Sequence, residues 1–191
     1  ESRFSLNNAT AELLENIPGL DTKIRSAIIE RIRESQTSES KPFSVIEEMF
    51  CIEGVNRKLF SDTSLGKIFT VYGDGKININ SASREVLMLI PGIDESLVTQ
   101  VLAVRAGPDG ELNTADDVFF DSLDDLITLG KLPPDKISPI TSFCKTHSRY
   151  FKISGFATRR QQSIYAESSI ACVRRDDGIG VLRWEENTGA P

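Results

Sequence analysis

The side chains best suited to chemistry lie in one acidic loop, residues 107–117. Ca²⁺ takes about six to eight oxygen ligands, and the glycines at positions 107 and 110 permit the tight wrapping that this requires. The loop is not an EF-hand, because no glutamate stands at the twelfth position. The sequence predicts a calcium site here, and the alternative is a solvated acidic turn whose last two aspartates cap the following helix. The oxygen donors of the predicted site are Asp109, Glu111, Asn113, Asp116 and Asp117.

Acidity is concentrated around this loop. The chain of 191 residues has 22 Lys+Arg against 28 Asp+Glu, a net charge of −6, with 39% hydrophobic residues, and this composition is typical of a globular protein. Residues 94–125 alone hold nine acidic side chains and one basic side chain, Arg105. Sequence-independent DNA binding depends on the neutralisation of phosphates, so this stretch opposes it and favours a cation instead.

Catalytic motifs are absent from the sequence. It contains no GxSxG, P-loop or HExxH pattern, and its one histidine, His147, leaves no basis for a histidine-dependent triad or metal site. We therefore expect no catalytic residue and no enzymatic activity. The cysteines at 51, 144 and 172 are far apart, which leaves open whether two of them pair, and those at 51 and 172 are expected to be buried because they lie in apolar runs.

An internal repeat organises the chain. Residues 6–21 align without a gap on residues 79–94, and eight of the sixteen positions are identical, including Asn7 with Asn80. Apolar residues at helical spacing precede and follow a tight turn in each copy, so each copy predicts a helix–hairpin–helix unit. In each turn, proline discourages further helix, glycine permits the bend and aspartate caps the second helix. The turn residues are Pro18, Gly19, Asp21, Pro91, Gly92 and Asp94.

Helix–hairpin–helix units often bind DNA, because backbone N–H groups at the start of the second helix hold a phosphate. Here Asp21 and Asp94 compete for those N–H groups and repel phosphate. The first copy retains Lys23 and Arg25, but the second has Glu95 in the corresponding region. We therefore interpret the hairpins as packing devices, and DNA binding of the competence (DNA-uptake) type remains the alternative function.

The remaining segments predict β-structure. A strand and turn are expected at 67–75, and three strands at 150–158, 163–173 and 180–185 form an antiparallel meander with turns at 159–162 and 176–178. The predicted class is α+β, with a duplicated helix–hairpin–helix (SAM-like) α-domain joined to a small antiparallel sheet. The predicted domains are the first repeat at 1–66, the connecting strand and turn at 67–75, the second repeat with the acidic loop at 76–146, the meander at 147–186 and a tail at 187–191.

An ordered set of segments resembles the minor pseudopilin K family of the type II secretion system. The likeness runs from about Arg3 to Glu186, over nearly the whole chain. The segments that carry it are Arg3–Asn7, Lys76–Ser83, Phe120–Leu126, Tyr150–Ile153 and Val181–Trp184.

The resemblance implies a sheet of pseudopilin type and a non-catalytic role in the general secretion pathway. It implies a tip subunit of the pseudopilus that assembles with minor pseudopilins I and J, with no nucleic-acid partner. The expected location is the periplasm of a Gram-negative-type bacterium, as a domain of an inner-membrane protein whose N-terminal hydrophobic helix is missing from this sequence. Some members of the family bind calcium, which agrees with the acidic loop.

Overall fold

The computed structural model describes residues 1–36, 41–129, 137–159 and 164–189, and the chain divides into two compact units. A helical unit spans Glu1–His147 and a β-unit spans Ser148–Pro191. Helices together with a small antiparallel sheet confirm the predicted α+β class. In the described part, no helix has the length and apolar character needed to cross a membrane. The proline-rich stretch at 132–134 and the turn residues 160–162 lie outside the described residues.

The helical unit consists of two halves with similar elements in the same order. Each half begins with a two-residue strand, continues through a short helix, a tight turn and a longer helix, and ends with a strand that pairs in parallel with the first. The first half contains β1 (Phe4–Ser5), α1 (Ala11–Glu15), α2 (Thr22–Ser35), α3 (Arg57–Asp62), α4 (Leu65–Ile68) and β2 (Phe69–Thr70), with 3₁₀ helices at Leu6–Asn8 and Ile46–Cys51. The second half contains β3 (Ile77–Asn78), α5 (Arg84–Leu87), α6 (Glu95–Arg105), α7 (Asp125–Thr128), α8 (Ile137–Phe143) and β4 (Cys144–Lys145).

One asparagine side chain closes the first half. The amide nitrogen of Asn7 donates to the carbonyl oxygens of Phe43 and Val71, both at 2.9 Å, and its oxygen accepts the Phe43 N–H at 2.8 Å. The two partners lie 36 and 64 positions further along the chain. A single carboxamide therefore ties together the beginning, the middle and the end of this half.

The second half is closed in the same way. The amide nitrogen of Asn80 donates to the carbonyl oxygens of Phe120 at 2.9 Å and Thr146 at 3.0 Å, and its oxygen accepts the Phe120 N–H at 2.9 Å. Asn7 and Asn80 are identical positions of the sequence repeat, and they make corresponding sets of three bonds. We call these two residues the asparagine clamps.

Each hairpin turn bends at a glycine in the left-handed region. Gly19 has a φ of +79° and Gly92 has a φ of +77°, values that glycine adopts without a steric penalty. After each turn, Asp21 or Asp94 accepts the backbone N–H three residues further on, at 2.9 Å. The carboxylate thus satisfies one of the free donors at the start of α2 and of α6.

One apolar core runs through both halves. Its largest fully buried side chains include Phe4, Phe43, Phe69 and Phe120. Two of these phenylalanines lie in the paired strands β1 and β2, and the other two are the backbone partners of the asparagine clamps. Burial of a side chain of this size contributes about 1.5–3 kcal/mol, so each clamp fixes a residue that the core needs.

Lys145 joins the two halves at their ends. Its ammonium nitrogen lies 2.5 Å from a carboxylate oxygen of Glu1 and 2.9 Å from both carboxylate oxygens of Asp74. Burial alone would raise the pKa of Asp74, but hydrogen bonds from Lys145 and from the Lys76 N–H outweigh it and lower that pKa. The Lys145 ammonium group therefore holds together three segments: the start of the first half, the link between the halves and the end of the second half.

Two details differ from the sequence predictions. The strand expected from Lys67 begins only at Phe69, because Lys67 and Ile68 donate to the Ser64 carbonyl and complete α4 first. Cys51, expected to be buried, is exposed at the end of the 3₁₀ helix Ile46–Cys51, and it is unpaired, as are the two other cysteines.

The β-unit is the predicted antiparallel meander. It consists of β5 (Tyr150–Arg159), β6 (Ile164–Arg175) and β7 (Gly178–Gly189), in the order β5-β6-β7, with a β-bulge between Ala171 and Cys172. The tail predicted at 187–191 is wrong for its first three residues. They continue β7 because their backbone pairs with β6 as far as Tyr165, which lies opposite Gly189.

Replacement of Asn80 by alanine is expected to lower the free energy of unfolding by about 2–4 kcal/mol, because one N–H and two carbonyl groups lose their partner inside the fold. Urea denaturation followed by circular dichroism measures the change. Gln100→Ala is the matched control, since it removes an exposed carboxamide from α6 and should stay within about 0.5 kcal/mol of the parent. Equal midpoints for both variants would contradict the clamp.

Replacement of Gly19 by alanine is expected to cost about 1–3 kcal/mol more than Gly110→Ala. Both glycines have a positive φ, +79° and +75°, so the backbone penalty is similar. A Cβ at position 19 would lie 2.8 Å from side-chain atoms of Leu59 and Thr63, whereas at position 110 it would meet nothing within 4 Å. Thermal denaturation compares the two variants, and equal losses would show that the first turn does not pack against α3.

Candidate functional site

The acidic loop follows α6 and is closed by bonds from its own backbone. The Asp109 N–H donates to Oδ2 of Asp116 at 3.1 Å, and the Asn113 N–H donates to Oδ2 of Asp117 at 2.8 Å. The Glu111 N–H donates to Oδ1 of Asp109 at 2.8 Å. All five residues of the predicted calcium site therefore belong to one ordered loop, in which the aspartates accept bonds from the backbone.

Two backbone positions shape the loop. Gly107 has a φ of +61°, and a Cβ there would lie 2.3 Å from the carbonyl oxygen of Asp116, so only glycine fits at the neck of the loop. Asn113 has a φ of +69°, which asparagine tolerates better than most residues. A hydrogen bond from the Thr114 hydroxyl at 2.7 Å, together with the Asp109 N–H, lowers the pKa of Asp116.

Asp117 keeps one oxygen unused. Its Oδ1 is buried and has no hydrogen-bond partner, which is uncommon for a buried polar atom. The nearby Arg105 is buried and donates to the Ala82 carbonyl at 2.6 Å. Burial lowers the pKa of Arg105, and the negative charge of Asp117 opposes that shift. The inner side of the loop thus presents an acceptor that a cation or a water molecule would satisfy.

The aspartates do not converge into a complete metal site by themselves. Over the part of the chain that the structure describes, no three side chains of His, Cys, Asp or Glu come together closely enough to hold a metal ion. An ion in the loop would therefore need further oxygens from Asn113, from backbone carbonyl groups and from water, which are ordinary calcium ligands.

The capping role that was the alternative for Asp116 and Asp117 does not occur. No helix follows them directly, because residues 118–120 are not helical and α7 begins at Asp125. Near the start of α7, Oδ2 of Asp125 accepts the N–H groups of Asp121 and Ser122 at 2.9 Å each. The two loop aspartates instead accept backbone N–H groups that precede them in the chain.

The first hairpin turn, the phosphate site of the DNA-binding alternative, lies beside α3 and is exposed at Pro18 and Gly19. A Cβ at Gly19 would lie 2.8 Å from side-chain atoms of Leu59 in α3 and of Thr63 just after it. Oδ1 of Asp21 already accepts the Ile24 N–H at 2.9 Å, a donor that a phosphate would need. In the second hairpin Pro91 is buried and Asp94 accepts an N–H in the same way. This geometry favours the packing interpretation of both hairpins.

A third turn of the same type was missed in the sequence. Residues 52–56, Ile-Glu-Gly-Val-Asn, match residues 17–21, Ile-Pro-Gly-Leu-Asp, at the isoleucine, the glycine and the capping position. Gly54 has a φ of +92°, and the Asn56 side chain accepts the Leu59 N–H at 2.9 Å to cap α3. The shared glycine and cap were the available signal, but the missing proline and the asparagine in place of aspartate hid it.

One face of the β-unit sheet is apolar and exposed. Residues opposite each other on neighbouring strands share a face, and the register pairs Ile153 with Ile170 and Ile170 with Trp184. The opposite face carries polar contacts, such as the hydroxyl of Ser169 with Glu185 at 3.2 Å. Large apolar side chains on the exposed face, between 43% and 73% accessible, are Phe151, Ile153, Ile179, Val181 and Trp184. Such a cluster is typical of an interaction surface.

No protein-family model and no curated protein matches the chain. Among solved structures, the chain is similar to a chain of the GspK-GspI-GspJ complex from the type 2 secretion system of enterotoxigenic Escherichia coli. The likeness has a TM-score of 0.62 at 16% sequence identity, and it covers 97% of this chain and 76% of that chain. At this identity the likeness shows the fold, since one fold can serve several functions. The expected resemblance to minor pseudopilin K is confirmed at that level: the chain has a GspK-like pseudopilin fold.

Proposed function

We propose that this chain is a minor pseudopilin of a type II protein secretion system, which assembles with minor pseudopilins of the I and J types. The observation that carries the proposal is the shared fold over 97% of the chain with a component of the GspK-GspI-GspJ complex. In this proposal the chain is the tip subunit of the pseudopilus, and it binds partners without catalysing a reaction. Both units lie in the periplasm, and an N-terminal hydrophobic helix anchors the whole protein in the inner membrane.

The proposal includes a duplication. The two halves of the helical unit are copies of one helix–hairpin–helix unit of the SAM-like type. The sequence repeat, the hairpin glycines with φ near +78° and the two asparagine clamps support this origin. In an assembly, such a unit supplies a rigid body whose shape does not depend on its partners.

The apolar face of the β-unit is the proposed surface for assembly. Trp184 and Ile153 are both more than half exposed, and they share this face with Ile170. Large apolar side chains at the centre of an interface carry most of the binding energy, and tryptophan is enriched among them. The polar pair Arg183–Glu185, at 2.7 Å on the opposite face, marks the side that remains in water.

Trp184→Ser is expected to weaken the complex with the I and J pseudopilins of the same organism at least tenfold, because a large exposed aromatic anchor is lost. Co-expression of the three proteins followed by size-exclusion chromatography with light scattering measures the complex. Lys152→Ser is the matched control, since this exposed residue lies on the opposite face of β5.

Different results would contradict different parts of the proposal. Failure of the parent chain to join the two pseudopilins would contradict the function itself, as would tight DNA binding that weakens steeply with salt. A complex that tolerates Trp184→Ser would contradict only the choice of surface.

We also propose that the acidic loop binds Ca²⁺ through Asp109, Glu111, Asn113, Asp116 and Asp117, with backbone carbonyl groups as further ligands. The buried, unpartnered Oδ1 of Asp117 supports this assignment, and so does the excess of acidic residues at 94–125. A bound calcium ion would supply positive charge that links the two sides of the loop.

Addition of calcium to chelator-treated protein is expected to raise the midpoint of thermal unfolding, since a ligand that binds only the native state stabilises it. At one hundred times the dissociation constant, the gain is about 2.7 kcal/mol. Asp117→Asn should reduce the rise while Asp176→Asn, in the turn between β6 and β7, should leave it unchanged. Equal midpoints with calcium and with chelator would rule out the site.

A further inference from the structure

A cleft of about 790 Å³ opens on the helical unit, and its lining contains no residue of the acidic loop. One wall comes from the first half, at Ser2–Arg3 and at residues 62–68 between α3 and β2, and the other comes from residues 81–89 around α5. Apolar atoms supply most of the surface of the cleft, although most of the residues that line it are polar or charged. This size and lining are typical of binding sites. The apolar lining is supplied by Pro18, Ile68, Val86 and Leu89.

Arg3 lines this cleft without a counter-charge. Its guanidinium is partly buried and makes one hydrogen bond, from Nη1 to the Gly66 carbonyl at 2.8 Å. Within the described residues, no carboxylate lies within 4.0 Å of it. A guanidinium has five N–H donors, so most of its donors have no protein partner. Burial lowers the pKa of Arg3, as expected for a charge removed from water without a carboxylate beside it.

The acidic groups of the cleft do not neutralise Arg3. Hydrogen bonds from the Ser83 hydroxyl and from the backbone N–H of Glu85 lower the pKa of Glu85, with smaller contributions from the charges of Arg84 and Lys67. Asp62 is exposed, and it forms no ion pair in the part of the chain that the structure describes. The hydroxyl groups of Ser2 and Ser64, which also line the cleft, have no protein partner among the described residues. Unused donors thus lie beside an apolar lining.

We propose that this cleft binds an extended acidic peptide segment of a protein partner. A carboxylate side chain of the segment pairs with Arg3, and an apolar neighbour packs against Pro18, Val86 and Leu89. Arginine suits this role because its planar fork binds a carboxylate through two parallel bonds. The hydroxyls of Ser2 and Ser64 bond the backbone of the segment. This inference rests on the cleft alone and does not depend on the proposed assembly with pseudopilins.

The test is a titration of the isotope-labelled chain, followed by amide chemical shifts, with an end-blocked pentapeptide that has aspartate between valine and leucine at its centre. The peptide should shift amide signals at 64–67 and 81–89. The same peptide with asparagine in place of aspartate should bind about tenfold more weakly, as should the first peptide with the Arg3→Met chain. Arg33→Met is the matched control, since this exposed arginine on α2 lies outside the cleft.

Lys67→Met keeps the test valid if Arg3→Met is unstable, because Lys67 is exposed and its loss should weaken binding about threefold without a change in the unfolding midpoint. The proposal is overturned if the aspartate peptide leaves the cleft signals unmoved at millimolar concentration. It is also overturned if the asparagine peptide binds as well. Acetate that binds as tightly as the peptide would show a site for small carboxylates and refute the peptide as occupant.

Discussion

The helical unit depends on one kind of interaction, made once in each half. The two N–H donors and the oxygen of a side-chain carboxamide all form hydrogen bonds with the backbone of the same half. The two asparagines are half-buried, and a distant loop that lost the bond would leave its own polar groups unpaired. Asn7 and Asn80 each hold three chain segments together at 2.8–3.0 Å. Each clamp also seats a phenylalanine, Phe43 or Phe120, in the shared core. Hydrogen bonding and apolar packing are therefore coupled at the same two places.

This arrangement leaves the outer surface free for recognition. The acidic loop, the cleft beside Arg3 and the apolar face of the β-unit each have a different chemistry. The loop concentrates negative charge, the cleft combines the Arg3 guanidinium with apolar side chains, and the sheet presents large apolar groups such as Trp184. Surfaces of different chemistry suit the recognition of different ligands, whereas catalysis requires groups that converge on one reacting atom.

The local parts of the fold were predictable because their causes lie within a few residues. Gly19 and Asp21 together specify a turn and a cap, and the alternation along β5–β7 specifies a meander. The partners of Asn7 could not be predicted, since they are 36 and 64 residues away and nothing local marks them. The two-residue strands were too short to show a period. In the acidic loop the residue types were visible, but their use of backbone N–H groups of the loop depends on turns at Gly107 and Asn113.

The short parallel strands have a consequence for how such a protein arises. Phe4 pairs with Phe69, and Ile77 pairs with Cys144. In each half, the first strand and the last strand are therefore neighbours. Neighbouring strands are about 4.8 Å apart, so the ends of a half are almost in contact. A segment whose ends are adjacent can be copied in tandem, or inserted into a surface loop of another domain. Its insertion adds little loop-closure entropy to the cost of folding the domain that receives it. The two ends of each half therefore have the close spacing that a tandem copy or an inserted segment requires.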